Sequence, residues 1–132
     1  MPVHIQTEDF DLSTEIKKLR SGDARVGAVA AFVGTVREQN DGAKVSAMTL
    51  EHYPGMTEKS LEEIIQKAKA RWDIFDVLII HRVGPLLIED QIVLVAVTSA
   101  HRGEAFAACE YVIDYLKTLA PFWKKRRYRR WF

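Results

Sequence analysis

Leu50-Glu51-His52-Tyr53-Pro54-Gly55-Met56-Thr57-Glu58-Lys59 changes its periodicity in the middle. Up to His52 it reads as the end of an extended strand that begins near Val45. Pro54-Gly55 then breaks the strand, because proline brings no amide donor to a sheet ladder and glycine tolerates turn geometry. Beyond the break, Thr57 leads into a helix reaching about Trp72. Leu61, Ile64, Ile65 and Ala68 form one stripe of it, and Glu62, Glu63, Lys67 and Lys69 lie outside the stripe. The stretch thus hands a strand directly to an amphipathic helix.

Working toward the N-terminus, Val26 to Val36 is rich in Ala, Val and Phe and reads as a buried strand. Gly34 within it predicts a bulge or a close backbone approach. Asn40-Asp41-Gly42 is a strong turn signal, so this strand and Val45 to His52 are expected to form a hairpin. Further back, Asp11 or Ser13 caps a helix carrying Ile16 and Leu19, Ser21-Gly22 ends it, and Val3 to Gln6 is a short strand. Toward the C-terminus, Val77 to Val83 is a nearly continuous apolar strand turned by Gly84-Pro85, and Gln91 to Thr98 is another. After Ser99-Ala100-His101-Arg102-Gly103 a helix runs to about Leu119, with Phe106, Cys109, Ile113 and Leu116 as its apolar stripe and Pro121 as its stop. Hairpins mixed with helices indicate an α+β fold rather than a regular parallel sheet. Neither repeats nor linkers divide the 132 residues, so residues 1–132 read as one domain.

The composition, 48% hydrophobic and 28% charged, suits a soluble globular chain with enough length to bury a core. No apolar run reaches the length of a membrane span, and Met1 to Gln6 has no basic start or apolar signal core. Cys109 is the only cysteine, which excludes an intramolecular disulfide and a cysteine-cluster metal site and fits a reducing cytoplasmic setting. The net charge of +1 conceals an asymmetry: Lys124, Lys125, Arg126, Arg127, Arg129 and Arg130 fall in the last nine residues. The remaining 13 basic and 18 acidic side chains leave a body of net −5. A cationic end on an acidic body implies an anionic partner there.

Lys117 lies at the last turn of the final helix and Lys124 just past Pro121, between aromatic and basic neighbours. A cation there either meets the helix macrodipole or, in an apolar and cation-rich pocket, serves acid–base or nucleophilic work. His101-Arg102 follows a strand and opens a helix, where free amides favour anions; the plainer reading is a capping segment with a solvated arginine. Thr35-Val36-Arg37 ends a strand, where site residues are common, although an ordinary edge arginine would look the same. His52 and His81 sit on apolar strands without a second ligand at suitable spacing, so no metal site is expected. Glu51 and His52 are read as fixing the turn at Pro54-Gly55. Cys109, on the core stripe, is read as a small buried hydrophobe rather than a sulfur carrier.

Taken together, the opening stretch, Thr98-Ser99-Ala100-His101-Arg102 and Asp114-Tyr115-Leu116-Lys117-Thr118-Leu119-Ala120-Pro121-Phe122-Trp123-Lys124 resemble the large, catalytic subunit of the molybdopterin synthase family, in order and spacing, from about Val26 to Lys124. The resemblance implies a hammerhead-like α/β arrangement and a homodimer within a heterotetramer. It implies a sulfurtransferase whose sulfur arrives as the C-terminal glycine thiocarboxylate of a small ubiquitin-like subunit and is placed on cyclic pyranopterin monophosphate. It assigns Lys117 and Lys124 as catalytic. Thr35, Val36, Arg37, His101, Arg102, Lys117, Lys124, Lys125 and Arg126 become substrate-binding, with no metal and no cofactor. Two anionic substrates suit such a cationic set.

The pattern departs after Lys124. Relatives carry an acidic residue, a glycine-containing loop and a tryptophan-bearing final segment, whereas here Lys125 to Phe132 follows, with Trp131 in the tryptophan's place. The same tail, with Tyr128, Trp131 and Phe132 among its cations, supports a rival reading: a non-enzymatic module binding nucleic acid or protein by charge and stacking. No recognised nucleic-acid motif accompanies it, and neither nucleic acid nor membrane is the expected partner.

Overall fold

A computed structural model describes residues 2–37 and 47–124, with residues 47 and 124 described by their backbone. The chain runs β1 (Val3–Gln6), α1 (Leu12–Arg20), β2 (Ala28–Thr35), β3 (Ala47–His52), α2 (Met56–Arg71), β4 (Val77–Arg82), β5 (Gly84–Leu87), β6 (Gln91–Ser99), α3 (Arg102–Thr118) and β7 (Phe122–Lys124). Four strands form one sheet in the order β1-β4-β6-β2, in which β1 is parallel to β4 and the other pairs are antiparallel. Three form a second, antiparallel sheet in the order β5-β3-β7. The α+β class expected from the sequence is the one observed.

The larger sheet is covered on both faces, which explains why β4 and β6 read as unbroken apolar runs. Alternate residues divide between two cores with the period of a strand. Val77, Ile79, Val93, Val95 and Val97 join Leu61, Ile65, Ala68, Ala108, Val112 and Leu116 of α2 and α3. Leu78, Ile80, Leu94 and Ala96 face the other way, with Phe10 and with Ile16 and Leu19 of α1. Asp11 is the cap of α1, its carboxylate accepting from Thr14 N at 3.0 Å, so Ser13 lies inside the helix. All four expected stripe residues of α2 are buried. Among the described residues no helix is long and apolar enough to cross a membrane.

Several expectations require correction. The expected hairpin is absent: β2 pairs with β6, and β3 pairs with β5 and β7 in the other sheet. Residues that are near in sequence were read as partners, but the connection changes sheets, and its Asn40-Asp41-Gly42 signal lies outside the described residues. The buried face of α3 consists of Ala105, Ala108, Cys109, Val112 and Leu116, whereas Phe106 is 63% exposed. Alanines let the helix lie close against β6 and β2, and a stripe drawn through the largest residues misses them. Gly84-Pro85 opens β5 rather than only turning the chain, and Gly84, at φ +83°, carries it from the larger sheet into the smaller one.

Gly34 behaves as expected. The β2–β6 register slips between Gly34 and Thr35, and a Cβ at Gly34 would lie 2.9 Å from Val93 Cγ1. The turn before α2 is held by different groups from those expected. Tyr53 N donates to Thr57 Oγ1 at 3.1 Å and Gly55 N to Glu58 Oε1 at 2.8 Å, while Glu51 and His52 lie in the ladder opposite Trp123 and Phe122.

His81 joins the two sheets. Its ring is fully buried and stacks on Phe122 of β7 at 3.7 Å, with Nδ1–H donating to Arg82 O at 2.8 Å. Burial, opposed by that hydrogen bond and aided by nearby His52, pushes its pKa down to about 4 from 6.5. The folded chain therefore favours the neutral ring. Between those values the unfolded chain holds a proton that the folded chain lacks, so stability is full above about pH 6.5 and falls as pH drops toward 4. The whole interval corresponds to about 3 kcal/mol. Urea midpoints should accordingly fall between pH 7.5 and 5, and His81→Phe should flatten that slope; equal slopes in the two proteins would assign the effect to other groups.

Candidate functional site

The ladder registers determine which candidate residues share an end of the fold. β2 runs antiparallel to β6, with Ala28 opposite Ser99 and Thr35 opposite Gln91. Thr35-Val36-Arg37 thus lies at the Gln91 end of the sheet, and His101-Arg102 follows the Ser99 end. Eight residues of strand separate these ends by about 25 Å. Helix α3 then returns along the sheet, and its 17 residues span a similar length. Lys117, in its last turn, comes back to the Arg37 end.

Lys124 reaches the same end from the second sheet. It is the register partner of Leu50, and Leu50 also pairs with Gly84, two residues after the end of β4. β4 ends beside the Gln91 end of β6, His81 being opposite Val93. The stacked His81 and Phe122 rings pin β7 at this position. One end therefore collects Thr35, Val36, Arg37, Lys117 and Lys124, and the other holds His101 and Arg102. The Lys124 side chain, Lys125, Arg126 and the basic tail on which the binding-module reading rests lie outside the described residues.

The individual environments differ. Arg37 and Thr35 are exposed. Val36 is buried, its N–H donating to Asp90 O at 2.9 Å and its carbonyl accepting from Glu89 N at 2.8 Å, so it anchors the segment that presents Arg37. Lys117 is exposed beside buried Leu116, so the described residues do not build the desolvating pocket expected around it. His101 is the N-cap residue of α3 without a side-chain capping bond, and both His101 and Arg102 are exposed. Among the described residues neither Lys117, His101 nor Arg102 spends its side chain on a hydrogen bond or ion pair, so all three are available to a ligand.

The sequence reading overlooked the surroundings of the lysines. β7 was not foreseen, and it sets Trp123 against Tyr53 with ring centroids 4.8 Å apart. The Trp123 indole N–H is a buried donor with no acceptor among the described residues. Ser60 and Tyr115 share a hydrogen bond between the start of α2 and the end of α3. One turn beyond that contact on each helix, Met56 and Leu119 are exposed, so apolar surface borders the cations. The aromatic pair Phe122-Trp123 directly after Pro121 was the available signal.

A match to the model of the MoaE protein family covers residues 5–119. The chain belongs to the MoaE protein family. It is 63% identical over 125 residues to the molybdopterin synthase catalytic subunit of Ralstonia nicotianae, covering 95% of this chain and 71% of that relative. Among solved structures, it resembles the molybdopterin biosynthesis MoaE protein of Burkholderia ambifaria at 56% identity and a TM-score of 0.86, covering 98% of this chain and 88% of that one. It also resembles the molybdopterin synthase of Staphylococcus aureus at 37% identity and a TM-score of 0.84, covering 94% and 89%.

Cys109 bears on the sulfur-transfer chemistry that the sequence resemblance implies, because such chemistry invites a persulfide carrier. The thiol is buried, with Sγ 3.8 Å from Val95 O, and burial pushes its pKa up to about 11. A thiol so placed is protonated at neutral pH and faces the sheet, and a nucleophile needs the thiolate. Cys109→Ser should keep its sulfur-transfer rate and lose about 1 kcal/mol of stability. A folded variant with no transfer would put the persulfide on Cys109 after all.

Proposed function

We propose that this chain is the catalytic subunit of a molybdopterin synthase, residues 1–132 acting as one sulfur-transfer domain. Its donor is the C-terminal glycine thiocarboxylate of a small ubiquitin-like protein, and its acceptor is cyclic pyranopterin monophosphate. Two transfers give the dithiolene of molybdopterin. The observation that carries this reading is the convergence of Lys117 and Lys124, from α3 and β7, on the Arg37 end of the larger sheet in a chain of this family.

Both substrates are anionic at the groups that must be recognised. Lys117 is the residue for direct participation, as proton donor or charge stabiliser at the thiocarboxylate carbonyl. Its oxygen gains negative charge as water adds to the acyl carbon, and that charge collapses as the C–S bond breaks, leaving sulfur on the pterin and the partner's terminal glycine as a carboxylate. Lys124 supports Lys117, and Thr35 lies on the substrate-binding side. Because Lys117 is exposed in the single chain, the seated tail of the partner supplies the desolvation that strengthens these charges. Arg37, His101 and Arg102 hold the cyclic phosphate, with Lys125 and Arg126 assigned to the same substrate. The single cysteine supports a reducing, cytoplasmic setting.

One protomer cannot bring Arg37 and Arg102 to the same small molecule across about 25 Å. A homodimer can. β2, Ala-Val-Ala-Ala-Phe-Val-Gly-Thr, is an edge strand with neither charge nor proline to blunt it. Antiparallel pairing of two such edges sets the Thr35 end of one protomer beside the Ala28 end, and hence the His101-Arg102 segment, of its partner. The test is direct: combine the chain with a thiocarboxylated small partner and the pyranopterin, and assay molybdopterin. A folded chain giving no product, yet binding nucleic acid tightly at physiological salt, would favour the binding-module reading.

A further inference from the structure

We infer that Gly27 and Ser99 are positioning residues that fix the His101-Arg102 segment by its backbone. The inference rests on the reading of that pair as a phosphate-binding element. Among the described residues the side chains of His101 and Arg102 make no hydrogen bond or ion pair. Their placement is therefore set by the main chain that carries them.

Two restraints act on that main chain. Gly27, just before β2, donates its N–H to Ser99 O at 3.0 Å. A Cβ at Gly27 would lie 2.3 Å from Ala100 O and 3.3 Å from Ala100 C. These are backbone atoms, and they could accept the new group only by retreating about 1 Å, the overlap of a contact that ordinarily begins near 3.4 Å. The carbonyl of Ala100 shares its peptide plane with the His101 nitrogen, so that displacement passes straight to His101 and the first turn of α3. The second restraint comes from Ser99, whose fully buried hydroxyl donates to the His101 carbonyl.

The Ser99 side chain is buried away from substrate, and Gly27 brings no side chain to it. The disturbance also stays local. Thr98, one residue earlier, is held independently: its N–H donates to Asp76 O at 2.9 Å and its hydroxyl oxygen accepts from Asp76 N at 3.0 Å. Gly27 therefore sets where two binding side chains stand without building the core.

The test is Gly27→Ala, measured for pterin affinity, KM, kcat, partner affinity and melting temperature. A displacement near 1 Å should raise the pterin Kd and KM about ten- to hundredfold. It should leave kcat at saturating pterin, partner affinity and melting close to wild type. In a His101→Ala, Arg102→Ala background, adding Gly27→Ala should have little further effect, because it acts through the missing side chains. Ser99→Ala, which adds no atom, should shift KM in the same direction and serves if Gly27→Ala does not fold. Wild-type KM in Gly27→Ala and Ser99→Ala, with Arg102→Ala weakened, would overturn the positioning role and leave the phosphate reading standing. Wild-type affinity in all three variants would overturn both, and full additivity in the double background would assign Gly27 a role elsewhere.

Discussion

Lys117→Ala should lower molybdopterin formation by about two to four orders of magnitude, the usual cost of losing an acid–base or charge-stabilising group. The fold should be indifferent to the change. Lys117 is exposed and makes no hydrogen bond or ion pair among the described residues, and the packing of its turn belongs to Leu116 and Val112. Melting temperature should therefore stay within a degree or two, as for an ordinary surface substitution. Single-turnover assays with preformed thiocarboxylate isolate the transfer step from partner recycling. Lys117→Arg separates the two roles, since arginine keeps the charge but does not titrate in a useful range. Partial activity in Lys117→Arg would identify a charge stabiliser, and activity as low as in Lys117→Ala a proton donor. Turnover at the wild-type rate in Lys117→Ala would remove Lys117 from the centre of the mechanism.

Much of the fold was legible because local pattern and burial agree. Val77 to Arg82 and Gln91 to Ser99 are apolar on both faces because α1 covers one side of their sheet and α2 with α3 the other. The stripe of Leu61, Ile64, Ile65 and Ala68 was readable for the same reason. Partnering was not legible. Nothing within Val26 to Val36 or Val45 to His52 states that the chain changes sheets between them, and the turn signal favoured the shorter closure. The close approach of α3 depends on Ala105 and Ala108, residues whose value is their small size, and a reading by hydrophobic bulk passes over them. β7 was hidden because three residues after a proline carry no period; they become a strand only because β3 offers an edge and His81 a ring for Phe122 to stack on.

The candidate site was legible in a different way. Composition located the cationic end, and the resemblance selected Arg37, His101, Arg102, Lys117 and Lys124 from among many similar side chains. Physical pattern alone left each of them with an ordinary explanation. What no one-dimensional reading could supply is their distribution over two ends of one sheet, because that follows from the β2–β6 register and from the return of α3 along it. Val36 illustrates the same point at the scale of one residue. It belongs to the segment that resembles the family, yet its side chain is core and its amide and carbonyl are bound to the Asp90 and Glu89 turn.

That distribution leads to the second large effect. Arg37→Ala and Arg102→Ala should each weaken pterin affinity by about ten- to a hundredfold, the cost of one charged hydrogen-bonding group at a phosphate or its neighbouring pterin. Binding of the sulfur-carrying partner should change far less. At pterin concentrations below the weakened affinities, each variant alone should be nearly silent. A mixture of the two should not be. If each site draws Arg37 from one protomer and Arg102 from the other, a mixed dimer holds one site with both residues lost and one with both intact. Random re-pairing makes about half of the dimers mixed, so activity should return to about a quarter of the wild-type level. The mixture must be allowed to exchange subunits, for example by co-expression with two different tags, and the doubly tagged dimer can then be isolated and assayed at about half the wild-type activity. A site built inside one protomer gives no such recovery, because every protomer in the mixture lacks one of the two arginines. A silent doubly tagged dimer would therefore reject the shared site and, with it, the use of β2 as the joining edge.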